Sequence, residues 1–101
     1  MARKITWTEP ALGDLDAIAD YIDLGKPLAA KLLVRKIFEK VALLGRFPRM
    51  GAVHPELRDM PYRQLVIPPC RIFYRSQRTT LTVVAVIRAE RKLMKELLDR
   101  H

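Results

Sequence analysis

Five arginines in the C-terminal half of this chain could do chemistry by their type and spacing: Arg63, Arg71, Arg75, Arg88 and Arg91. Arg71 and Arg75 lie in CRIFYR (residues 70–75), with Phe73 between them. Successive side chains of a strand point to opposite faces. Cys70, Ile72 and Tyr74 therefore take one face, and Arg71, Phe73 and Arg75 the other. Guanidinium groups in a row clamp phosphates and carboxylates. They are poor proton shuttles, because their pKa stays above ~12. The row offers anion binding. Structural ion pairing with Glu56, Asp59 or Glu90 is the competing use of Arg63, Arg71 and Arg75.

Acid–base groups are scarce around that row. RNA cleavage at the 2′-hydroxyl would need a base for the hydroxyl, cations for the developing phosphorane charge, and an acid for the leaving oxygen. His54, in the loop GAVHPEL beside Glu56, reaches the arginines only if that loop folds over them. His101 is the last residue, where fraying is expected. Tyr74 alternates onto the face opposite Arg71 and reads as core, while Tyr62 opens its strand and stays unassigned. Cys70 reads as a buried strand residue, since no histidine is placed to activate it. The arginines form a clamp without an acid–base pair, so no catalytic residue is assigned.

Composition narrows the partners. The formal net charge is +8, and it is uneven: residues 1–45 carry seven basic and six acidic side chains, residues 46–101 twelve and five. Such asymmetry points to an anionic partner for the C-terminal half, whether nucleic acid, ribosome or an acidic protein segment. A length of 101 residues, half of them hydrophobic, suffices for one domain, residues 1–101. No apolar run approaches the roughly 20 residues of a spanning helix, and the N-terminus MARKITWTEP lacks the apolar stretch of a signal peptide. One cysteine makes no internal disulfide and no zinc-type spacing, so a reducing, cytoplasmic setting without metal or cofactor is expected.

The elements that must position the arginines follow from periodicity. KITWT (4–8) alternates as a first strand. Thr8 then caps a helix over 9–23, with Glu9 and Pro10 in its first turn and Ala11, Leu12, Leu15, Ile18, Ala19 and Ile22 as its apolar stripe. Asp14, Asp16, Asp20 and Asp23 form its acidic outer face. After Gly25, Pro27 opens a second helix over 27–44 that buries Ala30, Leu33, Ile37, Val41 and Leu44 behind a basic outer face of Lys31, Arg35, Lys36 and Lys40. An acidic helix joined to a basic one predicts an antiparallel hairpin with cross-helix ion pairs. YRQLVI (62–67), CRIFYR and LTVVAVIR (81–88), joined by short links, predict sequential antiparallel strands. Leu93, Met94, Leu97 and Leu98 predict a helix over 89–100. The expectation is one α+β domain of order β-α-α-β-β-β-α, with helices on one sheet face and an open basic groove on the other, shared by Arg63, Arg71, Arg75 and Arg88.

In this order and spacing the chain resembles the RelE/ParE family, small toxins of bacterial type II toxin–antitoxin systems. The resemblance runs from Trp7 to about Lys92 and rests on WTEPALGDLDAIADYI, PLAAKLLVRKIFEKVALLGRFPRMG, the arginine of YRQL, CRIFYR and VVAVIRAER. It implies a toxin neutralised by a cognate antitoxin. RelE-like members are ribosome-dependent mRNA endoribonucleases; ParE-like members poison DNA gyrase and lack the nuclease residues. The long hairpin, the FPRMG exit and the R-x-L … CRIFYR spacing look ParE-like, so gyrase inhibition is the implied activity and mRNA cleavage on the ribosome the alternative. Many ParE-like sequences carry a histidine where this chain has Arg88. The resemblance places target binding on the arginine face and a ParD-like antitoxin against apolar surfaces such as Leu93, Met94, Leu97 and Leu98.

Overall fold

The computed structural model describes residues 2–100. β1 (Lys4–Trp7), α1 (Glu9–Asp23), α2 (Pro27–Leu44), β2 (Arg63–Ile67), β3 (Cys70–Ser76) and β4 (Thr80–Arg88) follow in that order, with 3₁₀ turns at Pro55–Leu57 and Lys95–Asp99. Local chemistry starts the helices where the sequence predicts. Thr8 Oγ1 accepts the Ala11 N–H at 3.1 Å, satisfying a donor the first turn would otherwise leave open. A proline stands in the first turn of both α1 and α2, where its missing N–H costs nothing.

The four strands form one sheet of order β1-β4-β3-β2. β2, β3 and β4 are sequential and antiparallel as expected. β1 adds to them in parallel along the outer side of β4, from Lys4↔Thr80 to Trp7↔Val83, so the sheet is mixed. Parallel partners need a long connection, and the chain between β1 and β4 supplies it. The α1–α2 hairpin packs on one sheet face through Ala11, Leu15, Leu33, Ile37, Val41 and Leu44, against Ile67, Cys70, Ile72, Tyr74, Leu81, Val83 and Val86. The expected ion pairs across the hairpin do not form among the described residues. Asp20 and Asp23 instead face Lys31 and Arg35 over a shallow groove of about 470 Å³.

The second face differs from the sequence expectation, because it is not an open groove. Phe73, Val84, Ala85 and Ile87 are covered by Leu57 and Tyr62 from the loop before β2 and by Leu93 and Leu98 after β4. The coverage explains why residues 89–100 are not the expected helix. Leu93 and Leu98 both point into this core, and residues five apart do not share a face of an α-helix. An extended stretch followed by the turn Lys95–Asp99 places both leucines inward.

A register shift separates the two faces of β4. Phe73 pairs with Ala85 and Tyr74 with Val83, so Val84 is extra on that strand. Such a bulge inverts the alternation beyond it. Leu81, Val83 and Val86 face the helices, while Val84, Ala85 and Ile87 face the second core.

Candidate target-binding surface

The bulge decides where the last strand arginine goes. Arg88 pairs with Cys70, a residue of the helix-side core, and its guanidinium stacks 4.9 Å above the ring of Tyr21 on α1. Its Nε meets Glu90 Oε1 at 2.8 Å. Arg63 also lies on the helix side, since it pairs with Tyr74 and alternates with Leu65 and Ile67. Only Arg71 and Arg75 share the second face, so the expected four-arginine row divides.

Each strand arginine has work inside the chain. Arg63 Nη1 donates to Gly51 O at 2.9 Å. That bond joins a second latch on the FPRMG loop: the Tyr74 hydroxyl donates to Pro48 O at 2.7 Å and accepts the Gly51 N–H at 2.9 Å. Burial raises the Tyr74 pKa, so its hydroxyl stays a donor. Gly51 itself admits no side chain. A Cβ there would stand 2.5 Å from the Tyr74 hydroxyl and 2.6 Å from Gln64 O. Gly51→Ala is expected to cost about 1–3 kcal/mol through overpacking, read as a melting temperature lowered by about 4–8 °C per kcal/mol for a domain of this size. An unchanged melting temperature would show that the loop yields freely.

Arg71 is the most engaged. Its side chain is 11 % exposed. Nε donates to Gln64 Oε1 at 2.8 Å, Nη2 to Glu56 Oε1 at 3.3 Å, and the guanidinium lies 5.0 Å over the Phe73 ring. Of the acidic partners expected for Arg63, Arg71 and Arg75, Glu56 takes Arg71, whereas Glu90 goes to Arg88. Arg75 runs beside Tyr62, whose hydroxyl donates to Asp99 Oδ1 at 3.0 Å with Leu98 O at 3.2 Å. Burial and the Asp99 carboxylate raise the Tyr62 pKa, and Arg75 opposes them.

The loop carrying His54 does reach the sheet, through Glu56 on Arg71. The imidazole itself stays within the loop, where Nδ1 accepts the Glu56 N–H at 3.1 Å and caps the turn Pro55–Leu57. Cys70 is fully buried and its thiol is pushed up, mainly by burial, which suits an inert core residue. His101 lies outside the described residues.

The open concavity is elsewhere. Between α1 and the segment after β4 lies a groove of about 660 Å³, lined by Tyr21, Val86, Arg88, Arg91, Lys92, Met94 and Leu97 among others. Arg91 joins Arg88 at this groove, and Lys92 adds a third cation that sequence reasoning did not single out. The four apolar candidates also separate: Leu93 and Leu98 are buried in the second core, whereas Met94 and Leu97 line the groove. β1 ends at Trp7 opposite Val83, so β4 beyond that point has a free edge.

Asp14 closes part of that edge. Its Oδ2 accepts the Val86 N–H at 3.1 Å, and Arg100 grips both carboxylate oxygens, Nη1–Oδ1 at 3.0 Å and Nη2–Oδ2 at 2.6 Å. The hydrogen bond to Asp14 raises the Arg100 pKa. The sequence reading put Asp14 on the acidic outer face; its position one turn from Ala11 and from Ile18, both in the apolar stripe, was the available signal. Arg100 carried none.

A family model described as the ParE toxin of the type II toxin–antitoxin system parDE matches residues 5–93. Toxin RelE2 of Caulobacter vibrioides is 35 % identical over 66 residues, covering 65 % of this chain and 70 % of that protein. A structure titled as the chromosomal ParDE TA system from P. aeruginosa superposes with a TM-score of 0.74 at 28 % identity, covering 88 % of this chain and 98 % of its own.

Proposed function

The chain belongs to the ParE toxin family of type II toxin–antitoxin systems, and on that premise we propose that it inhibits DNA gyrase and is neutralised by a ParD-like antitoxin. One observation carries the choice of gyrase over RNA. The tyrosines and the histidine beside the arginines that could move protons are committed or shifted away from neutrality: Tyr62 and Tyr74 have raised pKa values, and His54 Nδ1 caps a turn. Arg71, the strand arginine a nuclease would turn toward phosphate, is held by Glu56, Gln64 and Phe73. What the surface offers is binding, and poisoning an enzyme by holding one of its states requires only that.

Arg63 and Arg71 act in this reading as scaffold. The target-facing cations are Arg88, Arg91 and Lys92 at the groove, with Arg75 on the other face. Met94, 56 % exposed, and Leu97 are the apolar contacts left for the antitoxin, within reach of those cations for its acidic side chains. No helix among the described residues is long and apolar enough to cross a membrane, and a cytoplasmic site of action goes with a gyrase target.

Purified gyrase decides the matter. ATP-dependent supercoiling is expected to fall on addition of the full chain, with cleaved DNA accumulating, and to recover when antitoxin is added. Arg91→Ala should weaken inhibition at unchanged melting temperature. Supercoiling untouched by a large excess, together with transcripts cut in a translating extract, would replace this reading with ribosome-dependent mRNA cleavage.

A further inference from the structure

We propose that the outer face of α2 is a self-association surface through which two copies of this chain pair antiparallel. The face turned away from the sheet carries exposed apolar residues in a row: Leu28, Leu32 and Leu43, which are 69 %, 52 % and 44 % exposed. Phe47, 58 % exposed, extends the row past the helix end, because its N–H still bonds to Leu43 O at 2.9 Å and keeps the helical spacing. Between the two apolar ends stand Arg35 and Lys36, followed one turn later by Glu39, all exposed. Glu39 is the single acidic residue of α2, and among the described residues it has no ion-pair partner within the chain.

The order of these residues is what selects a second copy as the occupant. The row reads apolar, cation, anion, apolar, and it is complementary to its own reverse. Turned about a two-fold axis between residues 37 and 38, Leu28 meets Phe47 of the second copy, Leu32 meets Leu43, and Lys36 meets Glu39, with Arg35 and Lys40 flanking that pair. Each contact then occurs twice, as a closed isologous interface requires. The positions 28, 32, 36, 39, 43 and 47 step by three or four and so keep to one side of the helix. A partner of unrelated sequence would need no such symmetry. The net charge of +8 opposes association at long range, a field screened beyond about 8 Å at physiological ionic strength.

The test is sedimentation equilibrium of the full chain at physiological salt, for the wild type, Glu39→Lys, Lys36→Glu and Leu32→Asp. The wild type is expected to show a concentration-dependent dimer. Each variant should raise the dimer dissociation constant at least tenfold, with circular dichroism unchanged because every altered residue is exposed. An equimolar mixture of Glu39→Lys and Lys36→Glu should regain wild-type affinity, since opposite charges meet again at both symmetry-related positions. A wild type that stays monomeric throughout, variants that dimerise as well as it does, or a mixture no tighter than its components would each overturn the proposal. So would protection of the α2 outer face by the acidic antitoxin with no self-association, which would give the surface to that partner.

Discussion

Phe73→Ala is expected to remove about 3–5 kcal/mol of stability, the usual cost of deleting a fully buried phenylalanine and leaving a cavity. Phe73 is wholly inaccessible, packed among Leu57, Tyr62, Val84, Ala85, Ile87, Leu93 and Leu98 on the sheet face away from the helices. A domain of this size is held by about 5–15 kcal/mol in all, so the loss would take a large part of it. The cluster is small and joins two segments whose regular structure is a short 3₁₀ turn each, so its failure should be local first. Residues 91–100 should become susceptible to protease before the helices do. Phe38→Ala is the control. That ring, 42 % exposed and 5.0 Å from Trp7, should cost far less. Urea denaturation of the three proteins measures both. A loss below about 1 kcal/mol at Phe73 would mean that the second face is as open as the strand alternation alone suggests.

That contrast marks where the sequence is legible. α1 and α2 could be bounded to the residue because their signals are local: Thr8 and Glu9 at one end, Pro27 at the next, and apolar spacing between. The sheet's second face depends on what is brought to it from afar. Leu57 and Leu98 lie in segments whose own periodicity says nothing about a sheet, and only burial against Phe73 gives them a role. The continuous apolar run Val83–Ile87 was the one local hint, because a strand with a solvent face alternates whereas one buried on both faces does not. The bulge at Val84 was invisible in composition, and it alone carries Arg88 to the helix side. Arg63 was more readable, since Leu65 and Ile67 alternate with it and fix its face. The family signature therefore located the arginines, while their division between scaffold and groove required the fold.

Asp14 holds the groove together, and its removal is the second large effect. Its carboxylate does two jobs on different elements: it accepts the Val86 N–H on the free edge of β4 and the two terminal guanidinium nitrogens of Arg100. The side chains of Asp14 and Arg100 are 18 % and 30 % exposed, so solvent weakens the pair relative to a fully buried one. Asp14→Ala is expected to cost about 2 kcal/mol, combining a hydrogen bond to a charged acceptor with a partly screened ion pair. Arg100→Ala should cost about 1 kcal/mol, because Val86 keeps its acceptor and the lost contacts lie nearer solvent. The double variant separates the two jobs. With Arg100 already gone, Asp14→Ala should still destabilise by about 1 kcal/mol, the share belonging to the Val86 N–H. If Asp14→Ala costs nothing in that background, the carboxylate serves the ion pair alone and the edge of β4 needs no cap. If the remaining cost is there, hydrogen exchange at Val86 should quicken in both Asp14 variants and hold steady in Arg100→Ala. The free edge beside Arg88 is then set by a side chain on α1, and α1 fixes both the Tyr21 ring beneath Arg88 and the backbone that presents it.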